Sequence, residues 1–212
     1  PFGVSICYTS ANYLTVTSDE FLDMLIDKGC VFAWFFHYMP VGVNASTDLL
    51  LSPEQREYMV HRVRFIRSRK CPIKLFTLDF QNDAEFVGGC IAGGKNYLHI
   101  NPNGDVEPCV FIHYSNINIK EHSLLECLQQ PLFMEYHNTM PFNDNQLRPC
   151  PMLENPEMIK KMVEASGAHS TDMQAEEPVD DLIAKTIPYA ENWKPMADKL
   201  WQERQDEIAE IK

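Results

Sequence analysis

The sequence predicts an α/β fold: a partial (β/α) barrel of parallel strands, followed by a small module of a β-hairpin plus a helix, and a helical tail. Three observations predict it. Strand and helix patterns alternate through residues 1–80, an Asn-Pro-Asn-Gly turn separates two short apolar runs within 95–111, and apolar residues recur at helical spacing from 123 onward.

Residues 1–8 (PFGVSICY) alternate small or polar Gly3, Ser5 and Cys7 with larger Val4, Ile6 and Tyr8, the period of a strand with two different faces. Ser18 caps a helix whose Phe21, Leu22, Leu25 and Ile26 form one stripe, and Gly29 stands where a left-handed residue ends it. Residues 30–39 (CVFAWFFHYM) are almost continuously apolar, which predicts a strand buried on both faces. Ser52-Pro53-Glu54-Gln55 combines an N-cap, a proline at the first helical position and a capping-box glutamine. Met59, Val60, Val63 and Ile66 supply that helix's core face, and the basic run at 61–70 reads as its C-terminal half, where cations complement the macrodipole. A third strand is expected at 73–80. Such alternation requires right-handed parallel crossovers, as in part of a (β/α) barrel or a doubly wound sheet. Three strands cannot close a barrel, so either the remainder is missing or the sheet is small and open.

At residues 95–100 (KNYLHI) and 105–111 (DVEPCVF) two runs flank a turn whose Asn-Gly pair tolerates positive φ, so they should pair antiparallel. With Pro102 and Asn103 as the loop, Cys109 falls opposite Asn96, and Gly93-Gly94 lets the chain fold Cys90 back towards it. The pattern C-x13-G-x4-C then carries two thiols at one end of a hairpin, as metal ligands or as two ordinary buried cysteines. Ser123-x-x-Glu126 caps a helix carrying Leu124, Leu125, Leu128 and Leu132, with Cys127 beside Leu124. Arg148-Pro149-Cys150-Pro151 ends a loop, and Asn155-Pro156 starts a helix that stops at Gly167. Residues 170–178 turn polar and acidic, as a linker does. The tail from 179 is helical, broken by Pro188 and Pro195, with Tyr189, Trp193, Leu200 and Trp201 available for docking. The expected division is a barrel portion at 1–87, the hairpin module at 88–168, and a linker and tail at 169–212.

A net charge of −12 argues against binding the phosphate backbone of nucleic acid. No apolar stretch approaches the ~20 residues of a membrane helix. With no signal peptide at its start, the chain is expected to be cytoplasmic. Seven widely spaced cysteines, an odd number, suit metal ligation or free thiols in a reducing compartment. The start at Pro1 within a strand suggests a piece of a longer protein.

These segments together resemble the C-terminal part of a radical S-adenosylmethionine (SAM) enzyme with a Twitch or SPASM-like auxiliary cluster domain. The resemblance is carried by GGCIAGGKNYLHINPNGDVEPC at 88–109, FFHYMPVG at 35–42 and Arg148-Pro-Cys-Pro151. It implies an oxidoreductase context: an auxiliary [4Fe-4S] cluster here, and SAM with a second [4Fe-4S] cluster in the complete protein. There a 5'-deoxyadenosyl radical would take hydrogen from an unknown substrate. The implied partners are the missing N-terminal half of the barrel and a reductant such as flavodoxin or ferredoxin. The C-x3-C-x2-C motif that holds the SAM-binding cluster is absent, so this chain alone should not cleave SAM. The C-x2-C-x5-C-x3-C of a full SPASM domain is absent too, which argues for one auxiliary cluster.

Cys90, Cys109 and Cys150 are the first three candidate ligands, since thiolates are the usual iron-sulfur ligands. Cys127 is a possible fourth, but its leucine-rich helix favours a core role. His99 or His113 would complete a Cys3His site, which also suits zinc. A zinc-stabilised binding module and a small iron-sulfur electron carrier are therefore the rival readings. Ser5 on the small-residue face of the first strand, and Met39, Pro40 and Val41 at the end of the second, are candidate SAM contacts by resemblance. Asp79, Asn82 and Asp83 after the third strand either position substrate or merely form a loop.

Overall fold

The computed structural model describes residues 1–211, with secondary structure in the order β1 (Phe2–Tyr8), α1 (Tyr13–Val16), α2 (Asp19–Asp27), β2 (Cys30–His37), α3 (Pro53–Arg67) and β3 (Phe76–Asp79). There follow β4 (His99–Ile100), β5 (Val106–Glu107), β6 (Tyr114–Ser115), α4 (Leu124–Leu128), α5 (Pro131–Thr139), α6 (Pro156–Ser166), β7 (His169–Ser170) and α7 (Val179–Ile211). The first three strands form one parallel sheet in the order β1-β2-β3. The other two sheets are small antiparallel pairs, β4 with β5 and β6 with β7. The fold is thus mixed α/β.

Local signals place the helices. Ser18 accepts the Phe21 N–H at the start of α2, and Ser52 and Gln55 close a reciprocal capping box on α3. Both helices cover the same face of the sheet, where Ile6, Tyr8, Ala33 and Phe35 are buried with Leu22, Leu25, Met59 and Val63. The opposite face runs in three rows across the strands: Gly3, Phe32, Phe76; then Ser5, Trp34, Leu78; then Cys7 and Phe36, with Phe80 just past β3. A Cβ at Gly3 would meet the Phe32 ring across the sheet. Phe32, Trp34 and Phe76 are exposed. This corrects the expectation that β2 is buried on both faces: the face is apolar, but among the described residues no second layer covers it.

The hairpin forms with a register one residue off the expected one. His99 pairs with Glu107 and Ile100 with Val106, so the loop is Pro102, Asn103 and Gly104, and Gly104 has φ +95°. A left-handed glycine at the end of a three-residue loop adds the extra residue. Asn101 Oδ1 accepts the N–H groups of Asn103 and Asp105, which fixes this turn. The predicted helix after Ser123 is two helices. Pro131 opens α5 afresh, leaving Leu124 and Leu125 exposed on α4 while Leu132 and Phe133 are buried on α5.

The tail, by contrast, is not broken: α7 runs through Pro188 and Pro195 for 33 residues. Docking outweighs the lost backbone donors, since Tyr189, Trp193, Ala197 and Leu200 are all buried in the larger core. The polar segment before it packs closely. Thr171 Oγ1 donates to Glu107 at 2.6 Å, and Tyr114 donates to the Glu177 carbonyl at 2.7 Å.

Candidate metal centre

Three segments meet at the C-terminal end of the parallel sheet. Gly88 and Gly89, both at positive φ, lead into Cys90. The Gly93 N–H bonds to the Pro108 carbonyl at 3.0 Å, which sets the Cys90 loop against the strand leading to Cys109. The third segment is the loop 148–155, where Asn155 Nδ2 donates to the carbonyls of Arg148 and Cys150. Cys90, Cys109 and Cys150 thereby face one cavity of ≈ 230 Å³, walled also by Trp34, Phe80, Phe111 and Tyr136.

Nearby backbone N–H groups act to lower the pKa of each thiol: Ala92 at Cys90, Phe111 and Val110 at Cys109, Leu153 and Met152 at Cys150. The Leu153 N–H stands 3.4 Å from the Cys150 sulfur. These donors favour thiolate, but burial outweighs them, pushing Cys90 up to about 11, Cys109 up to about 12 and Cys150 well above its usual value. Three buried thiols that are neutral alone and share one cavity suit a cationic metal group that would convert them to thiolates.

A buried polar lattice supports the third thiol. Glu154 accepts the Cys150 N–H at 2.7 Å, and its other oxygen pairs with Arg56 at 2.7 Å, neither side chain exposed. Arg56 also donates to Asn82, Tyr189 and the Leu147 carbonyl, and lies over the Trp193 ring at 4.3 Å. Burial pushes the Glu154 carboxyl up, against the pull of Arg56. The lattice continues through Tyr189, whose hydroxyl is 3.2 Å from His37 Nε2, while His37 Nδ1 is 2.7 Å from the Tyr38 carbonyl. His37 thus carries its proton on Nδ1 and is neutral, with burial lowering its pKa to about 3.

Other expected site residues lie elsewhere. Cys127 is fully buried in a separate cluster with Val106 and Phe133. His99 and His113 line a second cleft, where they face Glu107 and Asp172 at 2.7 and 3.4 Å, so neither is placed to complete a Cys3His site with the three thiols. Among the described residues no group of three or more His, Cys, Asp or Glu closes around a single ion. Ser5 is exposed on the open sheet face, Pro40 is buried, Met39 lines the thiol cavity and Val41 the second cleft. The structure therefore does not gather the four candidate SAM contacts into one pocket. Asp79 and Asn82 are buried, and Asp83 makes a two-pronged pair with Arg67 at 2.7 Å in each contact.

Three residues were passed over in the sequence. Arg56 falls on the same stripe as Met59, Val60 and Val63, so a charge aimed at the core was legible there. Glu154 and Tyr136 carry no such mark. No helix is long and apolar enough to cross a membrane among the described residues.

No curated protein and no solved structure matched the chain. Residues 90–152 match the family model SPASM, an iron-sulfur cluster-binding domain. The match opens at Cys90 and closes just past Cys150, so over these residues the chain carries a SPASM match of the kind a SPASM/Twitch-like auxiliary domain of a radical SAM enzyme would give.

Proposed function

We propose that Cys90, Cys109 and Cys150 hold one auxiliary [4Fe-4S] cluster, and that the chain is the C-terminal part of a radical SAM enzyme. The observation that carries this reading is the convergence of three thiols, from three separate segments of the matched region, on one cavity at the C-terminal edge of a parallel sheet. That edge is where (β/α) folds collect ligands. The donor set is all sulfur, which suits an iron-sulfur cluster.

In the complete protein, SAM and a second cluster would supply hydrogen abstraction from a substrate, and the auxiliary cluster would supply one-electron transfer or an open iron. The chain's own residues do the positioning. Glu154 fixes the Cys150 backbone, and Phe111 joins the module to Phe36 and Phe80 on the open sheet face at centroid distances of 6.3 and 6.2 Å. The uncovered apolar face of β1, β2 and β3 is read as the inner wall of a barrel whose other strands lie outside this chain. Ser5, on that wall, and Met39, Pro40 and Val41, at its rim, remain the proposed SAM contacts.

Anaerobic reconstitution followed by iron, sulfide and zinc analysis tests the assignment. About one [4Fe-4S] per chain supports it, and stoichiometric zinc without sulfide overturns it.

A further inference from the structure

Tyr136 has the one side chain on the cavity wall whose polar atom is both buried and without a hydrogen-bond partner among the described residues. It is completely buried, and Cys90, Cys109 and Cys150 line the same cavity. Leaving a phenol hydroxyl unpaired in an apolar interior is unfavourable, and buried tyrosines ordinarily find a partner. The ring is nonetheless held in that position. Phe142 packs edge-on to it at 5.4 Å, and Gly93 lies so close that a Cβ there would stand 2.6 Å from the Tyr136 side chain. Gly93 has φ +65°, so the same residue that folds the Cys90 loop also clears the space for the ring.

We propose that Tyr136 is a further cluster contact: its hydroxyl donates a hydrogen bond to a sulfur of the group held by Cys90, Cys109 and Cys150, and so raises that group's reduction potential. The inference rests on the reading of these thiols as cluster ligands. The role assigned is donation, because the phenol O–H is buried, lines the same cavity as the three sulfurs and has no other acceptor among the described residues. Reduction adds negative charge to the cluster, and a hydrogen bond to sulfur stabilises that charge. Among the described residues no other fully buried side-chain donor that lines this cavity lacks a protein partner.

Tyr136→Phe removes the oxygen and leaves the ring in its clamp. The two proteins are reconstituted anaerobically and compared by iron and sulfide content, redox titration and low-temperature electron paramagnetic resonance. Their melting temperatures are also measured without metal. The expected result has four parts: equal iron and sulfide, a lower midpoint potential in Tyr136→Phe, altered resonance of the reduced cluster, and an unchanged or higher melting temperature of the apo variant. Identical potentials and spectra overturn the inference while leaving the cluster reading intact. A folded Tyr136→Phe chain that takes up no iron overturns donation in favour of ligation. A wild-type chain that binds no cluster removes the inference together with the reading beneath it.

Discussion

Arg56 and Glu154 form an ion pair of 2.7 Å with neither side chain reached by solvent, and they connect the helix behind the parallel sheet to the loop that carries Cys150. The pair is a strut: one end is fixed by Asn82, Tyr189 and Trp193, and the other holds the Cys150 backbone.

Removing one member of such a pair leaves an uncompensated buried charge, which costs about 3–5 kcal/mol. Arg56→Met and Glu154→Gln should each lower chemical-denaturation stability by that amount. The double variant should lose less than the sum, because neither charge is then stranded. Additive losses in a double-mutant cycle would show that the two residues act separately.

The neighbouring His37 and Asp79 give the fold opposing responses to acid. His37, facing Tyr189, Tyr38 and Arg56, has its pKa lowered to about 3 chiefly by burial. The unfolded chain therefore takes that proton first, and stability falls as pH drops below about 6.5, at up to ~1.4 kcal/mol per unit. Asp79, facing Tyr8, Asn82, Asp83 and Arg56, has its pKa raised to about 6, again chiefly by burial. The folded chain takes this proton first, so stability rises as pH falls from about 6 towards 4. Asp79→Asn removes the second effect alone. Urea midpoints between pH 7 and pH 4 should fall more steeply with acid in the variant than in wild type, and parallel curves would contradict the assignment.

Gly93→Ala introduces a Cβ within 2.6 Å of Tyr136 at a backbone φ of +65°. Overpacking and left-handed strain add, so the variant should be destabilised by about 1–3 kcal/mol and should reconstitute with less cluster. Wild-type stability and iron content in Gly93→Ala would mean that the loop has room to move.

Cys127→Ala removes a small buried sulfur from the Val106 and Phe133 cluster. The expected cost is about 1 kcal/mol, with iron and sulfide at wild-type values. Loss of the cluster in this variant would bring Cys127 into the ligand set.

What was legible in the sequence follows the range of the interactions involved. Capping at Ser18, Ser52 and Ser123 is settled within four residues, and all three caps form where their side chains indicate. The apolar run of β2 reads as buried on both faces because hydrophobicity records what a face is made of, not what packs against it. The hairpin register hinged on whether Gly104 lies inside the loop, a difference of one residue that period-2 patterning in two-residue strands leaves open. Cys90 and Cys109 are linked by a short spacing. Cys150 enters their cavity through Glu154 and Arg56, partners 98 positions apart that nothing local connects. Tyr136 sits on a stripe with Leu132 and Phe133 and reads as a core aromatic until its unpaired hydroxyl is seen.

Whether these three thiols hold one iron-sulfur group is read from iron, sulfide and visible absorbance of the anaerobically reconstituted wild type beside Cys90→Ala, Cys109→Ala and Cys150→Ala. The expected result is about one [4Fe-4S] per wild-type chain and loss of its absorbance in each of the three variants, with loosening of the hairpin and the 148–155 loop, since metal binding and folding of the module are coupled. A wild-type chain carrying zinc without sulfide, or full cluster content in Cys150→Ala, would contradict it.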